Sequence, residues 1–460
     1  MGETQSIPGD GASGDGRPPE PSSASPLRVF LDSANIECKP NSILSSRVLT
    51  YLQRNGHQIV TDLRQAQLVI CNTCGFNDEF ANLSKALLAR YDGSLPPEAR
   101  IICVGCLGSI RSGLAQEFSR VLVARDPRDL DGLLFRRVKF GDIRESYVRQ
   151  SDLPRLASYG RGGLGLAGRL LLAGAAAVQR GLQALVPEAL PEAVVSRLVL
   201  DEVTCDNKVY VEIGRGCAGN CSYCVIKKAK GQVVSRSSEA ILADVDAVAE
   251  PGKSLYLVAD DCGSYGLDTG ESLIGLIRAI SRKHPALPID VCYLGPRWLE
   301  QQREAYEALF AEGVVGSVNI PIQSGSQRIV GLMNRDYSVD TVLDIVRQLR
   351  RLSPRTLLLT HVIVGFPGET AGDYRSTLRA LDAFDFWWGF GYTDHPDMPA
   401  SALPGKVSRW TVGQRSLRLR FWRAARHFRR LAVALTHPAR RNDDPGSGNR
   451  RPERCERHGP

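Results

Sequence analysis

Gly214-Arg-Gly-Cys217-Ala-Gly-Asn-Cys221-Ser-Tyr-Cys224 is the stretch on which the reading of this chain turns. It follows an apolar run, Val209–Ile213, that reads as a strand, and it sets three cysteines at i, i+4 and i+7. Thiolates are the ligands an iron–sulfur cluster requires, and a cubane has four irons to ligate. Three protein thiolates leave one iron open to a substrate or cofactor, much as a catalytic metal site keeps one coordination position free. Gly214, Gly216 and Gly219 let the backbone wrap closely there. A structural zinc would want a fourth ligand nearby, but histidine is absent between Gln58 and Lys283, and Cys205 lies before the strand.

Outward from this motif the chain repeats one theme. Candidate strands Val209–Ile213, Ser254–Ala259, Ile289–Leu294, Gly316–Ile322, Leu357–Val364 and Trp387–Tyr392 alternate with helical stretches. The helices are Ser237–Ala249, Glu271–His284, Trp298–Glu312, Val339–Leu352 and Ala371–Phe384. Six such units predict a partial (β/α)6 barrel over residues 201–405. A shorter series precedes it over residues 27–143. Strands Arg28–Ser33, Ala66–Asn72 and Ala99–Gly105, with helices Asn41–Asn55 and Asp78–Tyr91, predict a parallel α/β sheet domain. The fold class is therefore α/β, an N-terminal parallel sheet domain followed by the barrel.

The remaining segments read as connections. Residues 1–26 form a Gly/Pro/Ser-rich leader without the features of a secretory signal, and 437–460 a disordered tail. Residues 144–200 read as a linker, with a Gly/Ala/Leu-rich helical segment at Gly162–Leu185. The longest aliphatic stretch, Leu170–Val178 between Arg169 and Arg180, falls far short of the roughly 18–20 apolar residues of a membrane span. Residues 406–436 hold a basic amphipathic helix. Leu417, Phe421, Ala424, Phe428, Leu431 and Leu435 make one stripe, expected to dock on the barrel, interleaved with arginines from Arg418 to Arg430.

Composition sets bounds. The 460 residues include 58 Lys+Arg, 50 Asp+Glu and 12 Cys, which excludes a disordered, collagenous or disulfide-built protein. From Gly405 onward there are 15 basic and 4 acidic residues, against 43 and 46 before it. Attraction to a polyanion thus resides in the C-terminal segment, and the body is nearly neutral. With no export signal the expected compartment is the reducing cytoplasm, where clustered cysteines are metal ligands or redox groups.

Cys38, Cys74 and Cys106 each follow a candidate strand of the first series, about one βα unit apart. Parallel strands linked by helices bring their carboxyl ends to one edge, so three distant cysteines can converge there. A rival set takes Cys71, Cys74, Cys103 and Cys106 as zinc ligands. In that set Cys71 and Cys103 lie inside strands, where a small buried hydrophobe is the plain role.

The motif Cys217-x3-Cys221-x2-Cys224, with Tyr223 as the aromatic before the last cysteine, resembles the radical S-adenosylmethionine (radical SAM) superfamily. Further matches are similar to its methylthiotransferase family: Lys230-Gly231, Ser235-Arg236-Ser237, Ala259-Asp-Asp-Cys-Gly-Ser-Tyr-Gly266, Pro321-Ile-Gln-Ser-Gly-Ser326, Met333-Asn-Arg335 and Val362–Thr370. Asn72-Thr-Cys74-Gly-Phe76 and Val104-Gly-Cys106 look like that family's N-terminal motifs. The resemblance implies a transferase with two [4Fe-4S] clusters, on Cys217/Cys221/Cys224 and on Cys38/Cys74/Cys106. It implies S-adenosyl-L-methionine contacted by Tyr223, Arg236, Asp261, Gln323, Ser324 and Glu369, and methylthio transfer to an unactivated C–H. The implied partners are a tRNA, protein or peptide substrate and an electron donor such as a flavodoxin or ferredoxin. The alternatives are a radical SAM tailoring enzyme of another reaction type, or a cluster-bearing regulator. After Gly405 no run of short alternating strands follows, so the family's RNA-binding TRAM domain is not expected.

Overall fold

The structure, a computed structural model, describes residues 25–111, 113–118, 120–156 and 208–436. The Gly162–Leu185 segment, Cys205, Cys455, most of the leader and the tail lie outside them.

Five strands make the first sheet: Arg28–Ser33 (β1), Gln58–Ile59 (β2), Leu68–Thr73 (β3), Arg100–Gly105 (β4) and Val121–Val123 (β5), in the order β2-β1-β3-β4-β5. All pairings are parallel. β1, β3 and β4 are buried almost throughout because both faces are covered. One face packs Val29, Leu31, Ile70 and Ile102 against Ile43, Val48 and Leu52 of the helix Lys39–Arg54. The other packs Val69, Cys71, Ile101 and Cys103 against Leu87, Leu88 and Tyr91 of the helix Asp78–Ser94. Asn77 starts the latter helix by accepting the Phe80 amide at 3.0 Å, with Asp78 and Glu79 in its first turn. In this order the switch point lies between β1 and β3, where doubly wound sheets open a crevice at their carboxyl ends.

The second sheet holds Tyr147–Arg149 (β6), Lys208–Glu212 (β7), Ser254–Val258 (β10), Ile289–Val291 (β11), Val315–Asn319 (β12), Leu357–Val364 (β13) and Phe386–Gly391 (β14). Its order is β14-β13-β12-β11-β10-β7-β6. The six strands of the repeat are parallel neighbours in chain sequence, and β6 closes one edge antiparallel to β7. Gly214–Arg215 (β8) and Val234–Ser235 (β9) pair as a small antiparallel ribbon after β7. This is the partial barrel expected from the repeat.

Three local expectations change. The start of the expected linker is not a connection: β6 and the 3-10 turn Gln150–Leu156 pack on the barrel edge, burying Val148, Leu153 and Leu156. The expected helix Trp298–Glu312 is two, Pro296–Gln301 and Arg303–Ala311, because Gln302 leaves helical geometry at φ −125°. The C-terminal helix, Arg409–Thr436, docks by a face other than the stripe read from the sequence. Leu419 is buried against Gly389, and Val412 meets Gly365 and Gly391, while Leu417 and Phe421 stand 53% and 66% exposed. Side-chain-free glycines on β14 and just after β13 leave room there for Val412 and Leu419.

Candidate functional site

Cys217, Cys221 and Cys224 occupy the loop after β8, at the carboxyl end of β7, where parallel barrels assemble their sites. The loop is forced tight at Gly216. Its φ is +77°, and a Cβ there would lie 2.0 Å from the Gln232 carbonyl. Beyond it the Gly219 amide donates to Cys217 Sγ at 3.2 Å, and the same glycine faces Cys221 Sγ. The Cys224 amide donates to the Cys221 carbonyl at 3.2 Å. Burial, then Asp261, pushes the Cys217 thiol up to about 11. Burial, then Cys221, pushes Cys224 up to about 12. Buried thiols this close ionise only against a cation, so the donor set suits an iron–sulfur cluster. Among the described residues no three His, Cys, Asp or Glu close up round a single ion. Thiolates of a cubane each take a different iron and need not do so.

Cys38, Cys74 and Cys106 follow β1, β3 and β4 respectively, and the structure brings them together over the switch point. Three asparagines hold them. Asn35 Oδ1 accepts the Cys38 amide at 3.1 Å, and Asn35 Nδ2 reaches Cys74 Sγ at 3.4 Å. Asn41 accepts from Cys106 Sγ at 3.7 Å and donates to the Thr73 carbonyl. Asn72 donates to the Asn41 carbonyl at 2.6 Å and to Ser45 Oγ at 2.8 Å. Gly105, at φ +89°, precedes Cys106 where a Cβ would sit 2.4 Å from both Asn72 Oδ1 and the Thr73 carbonyl. A hydrogen bond from Cys74 lowers Cys38 to about 6 against its burial, with Lys230 assisting, and the same bond raises Cys74. Burial raises Cys106 to about 11, with Lys230 pulling the other way. Cys71 and Cys103 are fully buried in the apolar face toward Leu87 and Leu88, as small hydrophobes.

The two trios share a bridge. Lys230, on the short helix Ile226–Lys230, pairs with Asp260 at 3.0 Å, and Asp260 also accepts the Gly216 amide at 2.8 Å. The Asp260 side chain is buried at 5% exposure and that of Lys230 mostly so at 17%. Burial works against the lysine's charge, but Asp260 and the thiols of Cys106 and Cys38 outweigh it and hold the ammonium above its ordinary value. The same helix packs Val225 and Ala229 onto Cys106 and Ile110. Lys230 and Asp260 sit inside motifs quoted from the sequence, but nothing in their spacing marked them as partners. Asn35 was missed for the same reason.

The other expected positions divide. Asp261 accepts from Trp298 Nε1 at 2.8 Å, Ser264 Oγ at 2.7 Å and the Gly295 amide at 3.1 Å, and lies 3.9 Å from Cys217 Sγ. It anchors the cysteine loop to the end of β11. Gln323 holds φ +61°, costly for a side-chain-bearing residue, and leaves its buried Oε1 without a partner. Such an acceptor is what a ligand would satisfy. Tyr223 is edge-on to Phe366 at 6.1 Å, with Arg335 donating to its hydroxyl at 3.1 Å. Arg236 and Ser324 depart from expectation. The Arg236 guanidinium is spent on the Glu212 and Arg144 carbonyls and on Asp244 at 2.8 Å. Ser324 is wholly buried, contacting Thr377 Oγ1 and capping the Ser326 amide. Glu369 accepts the Gly365 amide at 2.7 Å and pairs with Arg415, tying the Gly365–Thr370 turn to the C-terminal helix.

Residues 211–381 match the Radical SAM superfamily, and residues 33–123 match the Uncharacterized protein family UPF0004. Each span contains one cysteine trio. The ribosomal protein uS12 methylthiotransferase RimO of Clostridioides difficile (strain 630) is 26% identical over 405 residues, covering 85% of this chain and 80% of that protein. Its counterpart from Syntrophotalea carbinolica is 26% identical over 385 residues, covering 81% and 75%. Among solved structures, the radical S-adenosylmethionine methyltransferase TsrM from Kitasatospora setae superposes with a TM-score of 0.50 at 15% identity. That match covers 82% of this chain and 77% of that one, a likeness of fold.

Proposed function

We propose that this chain is a radical SAM methylthiotransferase that joins sulfur to carbon using two [4Fe-4S] clusters, one on each cysteine trio. S-adenosylmethionine and a [4Fe-4S] cluster are the cofactors of its enzyme class. When bound, they supply a carbon radical able to take hydrogen from an unreactive C–H, while the second cluster presents sulfur.

This chain's residues bind and orient. Cys217, Cys221 and Cys224 hold the first cluster, and the Gly216 turn together with Asp261 fixes their loop. Gln323 offers its unpartnered oxygen to S-adenosylmethionine, and Tyr223 packs beside the last ligand. Ser324, Arg236 and Glu369 serve by holding the surrounding turns. Cys38, Cys74 and Cys106 hold the second cluster inside the asparagine cage.

The observation that carries the reading is the Lys230–Asp260 pair. Lys230 supplies positive charge beside Cys38 and Cys106, while its partner Asp260 accepts the Gly216 amide at the head of the other trio's loop. The substrate class favoured is a protein side chain, since the relatives are named for ribosomal protein uS12. A flavodoxin- or ferredoxin-like donor supplies electrons, and the expected compartment is cytoplasmic. The test is anaerobic turnover with S-adenosylmethionine, a reductant and either uS12 or total tRNA. Deoxyadenosine release with a product heavier by CH3S in place of H on uS12 supports the reading. Deoxyadenosine release with a different mass change refutes methylthio transfer.

A further inference from the structure

Four of the seven exposed large apolar side chains among the described residues sit on one helix: Trp410 at 72%, Leu417 at 53%, Phe421 at 66% and Trp422 at 41%. Trp410, Leu417 and Phe421 fall at spacings of seven and four, a single stripe along Arg409–Thr436. Val412 and Leu419 fall half a turn away and dock on β13 and β14. The body therefore backs the helix and leaves its larger apolar stripe facing outward. In sequence the same three-and-four spacing runs on through Ala424, Phe428, Leu431 and Leu435.

Charge flanks the stripe. Arg409 and Arg420 are exposed on one side of it and Arg418 on the other, and the 28-residue helix contains no Asp or Glu. The chain before Gly405 carries a slight negative excess, so the positive field is confined to this segment.

We propose that this helix seats the protein on an anionic membrane surface, its aromatic and leucine stripe entering the headgroup boundary and its arginines meeting lipid phosphates. An apolar face of Trp, Phe and Leu under a cationic, acid-free polar face is the pattern of helices that lie in a bilayer interface. The charge points to an anionic occupant. RNA would engage the arginines and stack on an aromatic ring, but would leave the exposed Leu417 in water. A second copy of the chain would set arginine against arginine. Among the described residues no helix is long and apolar enough to cross a membrane, and the association proposed is peripheral. It is independent of the reaction proposed above.

The test is co-sedimentation of the full-length, anaerobically reconstituted protein with vesicles of phosphatidylcholine, with and without about a third phosphatidylglycerol. The account predicts binding to the anionic vesicles only, a blue shift of tryptophan emission and loss in high salt. Leu417→Ser with Phe421→Ser weakens binding at least about tenfold, and so does Arg418→Gln with Arg420→Gln. Both pairs are surface changes that leave folding intact, checked by an unchanged circular dichroism spectrum. Failure to bind anionic vesicles overturns the proposal. So does binding indifferent to Leu417→Ser/Phe421→Ser, or RNA binding that survives that pair in a protein that ignores vesicles.

Discussion

Lys230→Met tests whether the buried pair between the trios is as coupled as its geometry requires. The ammonium lies 3.0 Å from Asp260 Oδ1, with side-chain exposures of 17% and 5%, so water screens little of the interaction. Methionine keeps the length of the side chain and removes its charge. Asp260 is then left as a buried carboxylate whose one remaining recorded donor is the Gly216 amide. Removing one partner of a buried pair costs about 3–5 kcal/mol, most of it the penalty on the partner left behind. Lys230→Met combined with Asp260→Asn removes that orphan charge, and the amide oxygen can still accept from Gly216. The double variant should recover about half of the loss or more. Urea titration of the cluster-free protein, followed by tryptophan emission, reads this as a lower midpoint at unchanged slope. A Lys230→Met protein within about 0.5 kcal/mol of wild type, or a double variant whose losses simply add, would refute the reasoning.

Gly105→Ala should remove iron from the N-terminal trio alone, since its Cβ would meet Asn72 Oδ1 and the Thr73 carbonyl at 2.4 Å; iron analysis should show the loss with the Cys217 trio still loaded. Leu419→Ala should cost about 2–4 kcal/mol and Leu417→Ala less than about 0.5 kcal/mol, because only the former is buried; urea midpoints of the two variants separate the docked face from the exposed one. Arg415→Ala should carry a pH-dependent penalty. Burial lifts Glu369 above the ordinary carboxyl range even with Arg415 beside it. The folded chain thus holds that proton more tightly than the unfolded one, and stability falls as pH rises above the unfolded value. Without Arg415 the lift is larger. The deficit should be about 3–5 kcal/mol near pH 8 and shrink toward pH 5 as Glu369 protonates. Urea midpoints at the two pH values measure it, and a deficit that grows on acidification contradicts the account.

What could be read in the sequence was whatever recurs at fixed spacing. The cysteine loop, the six strands β7 and β10–β14, and the helices Val339–Leu352 and Asp78–Ser94 all declare themselves by local pattern. The convergence of Cys38, Cys74 and Cys106 followed from parallel topology alone. The two-residue β2 and three-residue β5 and β6 were missed, because each is a short edge strand fixed by the one neighbour it pairs with. The docking face of the C-terminal helix was misjudged for a related reason. The larger residues make the clearer stripe, but the surface that receives the helix is set by Gly365, Gly389 and Gly391, which helical periodicity does not report. Lys230 and Asp260 lie 30 residues apart and meet only once the barrel closes. Ser324 and Arg236 belong to the family's motifs yet point into the scaffold, so a motif match located the neighbourhood without assigning each atom.

Two cubanes, each gripped by three thiolates, make a numerical claim that anaerobic iron and sulfide analysis addresses directly. Reconstituted wild type should carry about eight irons, and both Cys217/Cys221/Cys224→Ala and Cys38/Cys74/Cys106→Ala should fall to about four. A wild-type value near four, or a Cys38/Cys74/Cys106→Ala protein that keeps all its iron, would contradict the account.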